Sequence, residues 1–87
     1  MDINDRIKQI CDLMQPVIDD TSVPRNIRKT VEDAKNRICQ GGDVNVNLAS
    51  AIYSLEDVSN DINMPFHVRT SIWSIVSELE RLKEEMK

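Results

Sequence analysis

The sequence predicts an all-α protein, a four-helix bundle built from two duplicated helical hairpins. Along four segments the apolar residues recur at steps of three and four, the spacing that lines one face of an α-helix. The chain also aligns with itself, without gaps, at a shift of 41 residues that carries Pro24 onto Pro65. No stretch alternates apolar and polar residues long enough to read as a β-strand.

The first helix is expected to start at Asp2, a side chain able to cap it, and to bury Ile3, Ile7, Ile10, Met14 and Val17. Pro16 should kink or end it, because proline lacks the N–H that the helix ladder needs. The second helix is predicted to be capped by Ser22, with Pro24 in its first turn and Ile27, Val31, Ala34 and Ile38 inward. Gly41-Gly42 closes it and permits a tight turn. The third helix, capped by Asp43, presents Val44, Leu48, Ala51, Leu55 and Val58. The fourth, with Asn63 as cap and Pro65 in its first turn, presents Val68, Ile72, Ile75, Leu79, Leu82 and Met86.

The self-alignment pairs Asp2 with Asp43, Asn4 with Asn45, Val17 with Val58, Asp20 with Asp61, Pro24 with Pro65 and Arg28 with Arg69. Apolar positions match apolar positions alongside, as in Met14/Leu55, Val31/Ile72 and Ile38/Leu79. The expected organisation is one domain over 1–87, with hairpin copies at 2–41 and 43–86. Two such units are fewer than an open solenoid needs to bury its faces, so the chain is expected to close on itself.

At 87 residues and a net charge of -4, the chain is a poor candidate for general nucleic-acid binding, because a phosphate backbone selects for Lys and Arg. No segment approaches the apolar length that crosses a bilayer, and Met1-Asp2-Ile3-Asn4-Asp5 lacks the pattern of a signal peptide. A cytoplasmic location without membrane association is therefore expected. Cys11 and Cys39 make no disulfide framework, and His67 is the only histidine, so neither a zinc site nor any other metal or cofactor is expected. With the first hairpin turning back near residue 22, Cys11 should lie about 9 Å along the axis from Cys39, too far to bridge. Both are then read as small core or boundary residues.

Each copy runs from an apolar helix through an acidic corner and a proline to an apolar-Arg pair. Copy one reads Leu13-Met14-Gln15-Pro16-Val17-Ile18-Asp19-Asp20, then Ile27-Arg28. Copy two reads Leu55-Glu56-Asp57-Val58-Ser59-Asn60-Asp61, then Val68-Arg69. This order resembles a HEAT repeat, with a departure at Asp57, where the helix proline is missing. Through Asp20-Thr21-Ser22-Val23-Pro24-Arg25-Asn26-Ile27-Arg28 and Asn63-Met64-Pro65-Phe66-His67-Val68-Arg69, the chain also resembles a family of short archaeal proteins, the uncharacterised protein family UPF0147. That resemblance implies a compact four-helix cytoplasmic domain of archaeal source with no assigned activity.

Candidate sites follow from residue type and position. Arg28 and Arg69 could bind a carboxylate or phosphate, but their repetition after Asp20 and Asp61 favours a structural role, bonding the corner and fixing the hairpin angle. Asp19-Asp20 lacks the further oxygen ligands of a metal site. His67, Thr70, Ser71 and Ser74 make no catalytic triad, because no carboxylate is placed to orient a base, so no enzyme activity is expected. The charged tail from Glu78 to Glu85 reads as an exposed helix end. In the fourth helix Phe66, Trp73 and Val76 form an additional apolar strip where the second helix has Arg25, Glu32 and Lys35. Deeper burial would explain it. So would an interface to protein, a second copy of the chain included, and the leading expectation is a non-enzymatic interaction domain using this face. The alternative is a nucleic-acid-binding accessory factor using Arg25, Arg28, Lys29, Lys35 and Arg37 of the second helix.

Overall fold

The computed structural model describes residues 2–86. Four helices follow in order: α1 (Ile3–Asp19), α2 (Arg25–Cys39), α3 (Val44–Val58) and α4 (Phe66–Glu85). α1 packs on α2 and α4, and α3 packs on the same two, while among the described residues the backbones of the diagonal pairs stand farther apart. The last helix thus closes against the first, so the chain is a bundle rather than an open stack.

The stripes read from the sequence form one core. Ile10, Met14, Ile27, Val31, Leu48, Leu55, Val68, Ile72, Ile75, Leu79 and Leu82 are almost wholly enclosed. Each such side chain contributes about 1.5–3 kcal/mol on leaving water, which is how a chain this short holds together. Val23 and Met64, one in each helix corner, plug the end of this core. Ile3 departs from expectation and stays 39% exposed. It lies in the first turn of α1, at the rim of the bundle, where no facing helix covers it fully.

The expected caps of α1 and α3 are present. Asp2 accepts from the Asn4 N–H at 3.3 Å, and Asp43 accepts from the Val46 N–H at 3.2 Å. Those of α2 and α4 are not. Pro24 and Pro65 occupy the cap positions themselves, and neither Ser22 nor Asn63 caps a helix. Their N–H groups are taken instead by the preceding aspartates: Ser22 by Asp20 at 2.9 Å and Asn63 by Asp61 at 2.8 Å. Short carboxylates bond backbone two residues ahead readily, and here that turn competes with capping and wins.

Of the two outcomes expected of Pro16, it does not end the helix, since α1 continues past it to Asp19. Only the last turn lies beyond the proline, and buried Met14 and Val17 hold that turn against the core. Gln15 further donates to Asp19 at 2.9 Å, one helical turn on. At the opposite end of the hairpin, Gly41 and Gly42 both take positive φ, 83° and 88°, a conformation that glycine adopts without steric cost. Buried Asn47 donates to the Gly41 carbonyl at 2.8 Å and braces that turn from α3.

Leu48 sits at the centre of the core and Ile62 is 92% exposed in the second corner. Leu48→Ala should lower unfolding stability by about 2–5 kcal/mol, and Ile62→Ala by no more than about 0.5 kcal/mol. Urea denaturation of both variants measures the contrast.

Candidate interaction face and helix corners

The two corners share one construction. In each, the aspartate N–H bonds the carbonyl three residues back (Val17, Val58), and its own carbonyl accepts from the residue three ahead (Val23, Met64). Each corner is also bound by the other hairpin. Asn26 of α2 donates to the Asp61 carboxylate at 3.1 Å, and His67 of α4 lies 3.6 Å from the Asp20 carboxylate. Asn26 and His67 occupy matching places in the self-alignment, so the two contacts are reciprocal. Arg28 donates through Nε to the Val23 carbonyl at 3.0 Å, and Arg69 through a terminal nitrogen to the Asp61 carbonyl at 3.1 Å. Both arginines therefore tie the start of a helix to the corner before it. Among the described residues the buried Arg69 Nε has no hydrogen-bond partner.

These contacts hold both carboxyl groups below their ordinary range. For Asp20 the causes are the Ser22 hydroxyl, then the Ser22 N–H, then His67. For Asp61 they are the Asn63 N–H, then the Asn26 amide, then the charge of Arg69. The hydroxyls near His67 serve the helix: Thr70 and Ser71 both donate to the His67 carbonyl, at 2.9 and 3.0 Å. Among the described residues no group of three or more His, Cys, Asp or Glu could hold a metal ion.

The apolar strip expected on the fourth helix divides. Phe66 is 74% exposed and Trp73 is 53% exposed, whereas Val76 is buried. Val76 stands one turn after Ile72 and so joins the inward stripe, while Phe66, Thr70, Trp73 and Ser77 follow one another along the outer face at steps of four and three. A side chain from α1 supplies what the strip loses. Leu13, 47% exposed, lines a groove of about 520 Å³ between α1 and α4 with Thr70, Trp73, Ser74, Ser77 and Glu78. Leu13 was legible only as a residue off the core stripe of its own helix; its place beside Trp73 depends on bundle closure. Tyr53, the remaining aromatic, is also exposed and borders a second groove between α2 and α3, on the opposite side.

The seam under the first groove is held by ion pairs that the charged tail did not reveal as a sequence. Arg6 of α1 pairs with Glu85, and lies 3.7 Å from Glu78, both on α4. Much of the basic set on α2 is likewise engaged within the chain: Lys29 with Asp33 at 2.7 Å, Lys35 with Gln15, and Arg28 with the corner.

The cysteines overturn the expected spacing. Cys11 and Cys39 lie side by side, with 2.7 Å between sulfurs. Gln15 and Lys35 meet in the same register, so the hairpin pivots about Arg25 rather than near residue 22. The corner climbs past the end of α1 before α2 begins, which shifts α2 by about 9 Å along the axis at 1.5 Å per residue. Cys11 is a core residue, and Cys39 is exposed. Burial and the bond to Cys39 push the Cys11 thiol up to about 12.

A profile of the uncharacterised protein family UPF0147 matches residues 1–82. A UPF0147 protein of Methanocaldococcus jannaschii is 50% identical over 78 residues, covering 88% of this chain and 84% of that one. Its counterpart in Archaeoglobus fulgidus is 39% identical over 79 residues, covering 91% of each. Two crystal structures are similar as well. The unknown-function protein MMP1188 superposes with a TM-score of 0.83 at 46% identity, over 88% of this chain and 89% of that one. A UPF0147 protein of Thermoplasma acidophilum gives 0.84 at 29% identity, over 91% and 94%.

The lowered Asp20 and Asp61 fix the sign of an acid dependence. A carboxyl whose folded value lies below its ordinary 3.8 stabilises the fold above that pH, and the stabilisation is lost as pH falls through the folded value. Melting temperature should therefore drop below about pH 4, and the double variant Asp20→Asn, Asp61→Asn should show a shallower drop over the same window. Thermal melts of both proteins from neutral pH to pH 2 check the slope.

Proposed function

We propose that this chain, which belongs to the uncharacterised protein family UPF0147, is a non-enzymatic helical domain that associates with a second copy of itself through the Leu13–Phe66–Trp73 face. One observation carries the reading: all three aromatic residues of the chain, Tyr53, Phe66 and Trp73, lie on the surface. A small domain gains most from burying its aromatics, each of which removes about 150–250 Å² from water. Leaving them outside is favourable when another surface covers them, and tryptophan is the residue most enriched where binding energy concentrates.

The chemistry of the face favours a second copy as the partner. The groove beside Trp73 is bordered by Thr70, Ser74 and Ser77, and its one charged residue, Glu78, is near both Arg6 and Arg81. Two such faces can meet about a two-fold axis without opposing like charges, Trp73 of each copy covering Leu13 of the other. The same hydroxyl rim offers hydrogen bonds without fixed charge.

The doubled architecture belongs to this reading. Reciprocal contact at the corners, together with the matched Arg28 and Arg69, supports two copies of one hairpin, 2–41 and 43–86, in a single domain. The copies then differ in purpose: Arg25 and Glu32 keep the α2 face in water, while Phe66 and Trp73 at the matching places on α4 seek cover. The engaged cations of α2 and the net charge of -4 weigh against the nucleic-acid alternative. No helix among the described residues is long and apolar enough to cross a membrane, and the cytoplasm is the compartment we propose.

Sedimentation equilibrium tests the association. The wild-type chain should dimerise reversibly, and Trp73→Ala should weaken the dimer about tenfold or more while the far-ultraviolet circular dichroism stays unchanged. A wild-type chain that remains monomeric to millimolar concentration would overturn the proposal.

A further inference from the structure

We propose that Cys11 and Cys39 are a redox pair, closing to a reversible disulfide that ties α1 to the end of α2. The two thiols come from different helices, yet their sulfurs are 2.7 Å apart, closer than two unbonded sulfurs rest comfortably. An S–S bond is about 2.05 Å, so closure needs a movement of well under 1 Å. Their neighbours hold them there. Ile10 and Met14 bury the α1 side, Ile38 buries the α2 side, and the Gln15–Lys35 bond one turn away sets the same register.

The pair is also asymmetric in the way thiol exchange needs. Cys39 is exposed and Cys11 is buried. A groove of about 310 Å³, bordered by Ile7, Lys8, Gly41 and Val44, opens onto both. The oxidant that fits is a small disulfide bearing negative charge, which Lys8 attracts. The Cys39 thiolate attacks one sulfur of that disulfide, forms a mixed disulfide and releases one thiolate. Cys11 then gives up its proton, attacks the Cys39 sulfur and expels the second thiolate. Two cysteine thiols and one small disulfide thus become one internal disulfide and two small thiols. Burial is the largest influence holding the Cys11 thiol protonated; the smaller influences of Cys39, by hydrogen bond and by charge, end once Cys39 is capped. The bridge spans 28 residues of sequence and sits just before the Gly41-Gly42 turn, fastening the open end of the first hairpin.

Oxidised glutathione is a suitable probe. The full chain is incubated with it at neutral pH, quenched with acid, alkylated and weighed by mass spectrometry. The expected product is a monomer lighter by two hydrogen atoms, carrying neither alkyl groups nor glutathione. Its melting temperature should stand on the order of 10 °C above that of the reduced chain, and dithiothreitol should reverse the shift. Cys39→Ser, a change at an exposed site, should leave Cys11 unoxidised. Cys11→Ser should stop at the glutathione adduct of Cys39. Retention of both alkylatable thiols in the wild type overturns the proposal, as does a persistent mixed disulfide or a disulfide between chains.

Discussion

Closure of α4 against α1 is the constraint on which the rest of this structure depends. Each hairpin buries one side of its apolar stripes internally and leaves another side bare. Only when the two hairpins meet along both the α2–α3 and α1–α4 seams do Met14, Val31, Leu55 and Ile72 leave water together. Because burial is proportional to apolar area removed from water, a half-closed form of so short a chain would forfeit much of its stabilisation. The α1–α4 seam joins the first helix to the last. Arg6, reaching to Glu78 and Glu85, spans that seam where the aliphatic contacts thin out.

At the other end of the bundle the corners perform a related task with polar groups. Asp20 and Asp61 accept from the backbone N–H groups of Ser22 and Asn63, next in the chain to the hydrophobic plugs Val23 and Met64. Their outer oxygens then receive His67 and Asn26 from the opposite hairpin. One residue type at one position thereby shapes the turn and joins the hairpins. The core is aliphatic and the aromatics Trp73 and Phe66 lie outside it, as the anchors of the interface we propose.

The helices and nearly all of the core were legible because a 3.6-residue period is written into apolar spacing, and side chains such as Ile27, Val31, Ala34 and Ile38 obey it without exception. What was not legible depends on relations between helices. Val76 could be assigned to an outer strip or to the core only once the direction of α1 against α4 was known. Leu13 belongs to the exposed face for the same reason. A turn near residue 22 misplaces the cysteines because a corner has length, and its residues carry α2 past the end of α1. Residue type favours Ser22 and Asn63 as caps, but Pro24 and Pro65 take the cap positions, and Ser22 and Asn63 give their own N–H groups to the aspartates two residues earlier.

The chain has a single tryptophan, so its fluorescence reports directly on whether a second copy covers Trp73. Emission wavelength and iodide quenching of Trp73 should be followed across protein concentration. Self-association through Trp73 requires a solvent-exposed, readily quenched indole at high dilution, and a blue-shifted, protected one as concentration rises. A blue-shifted and protected indole at every dilution would mean that Trp73 is buried within one chain. An indole that stays exposed throughout would mean that no second copy covers it. Either result contradicts the account.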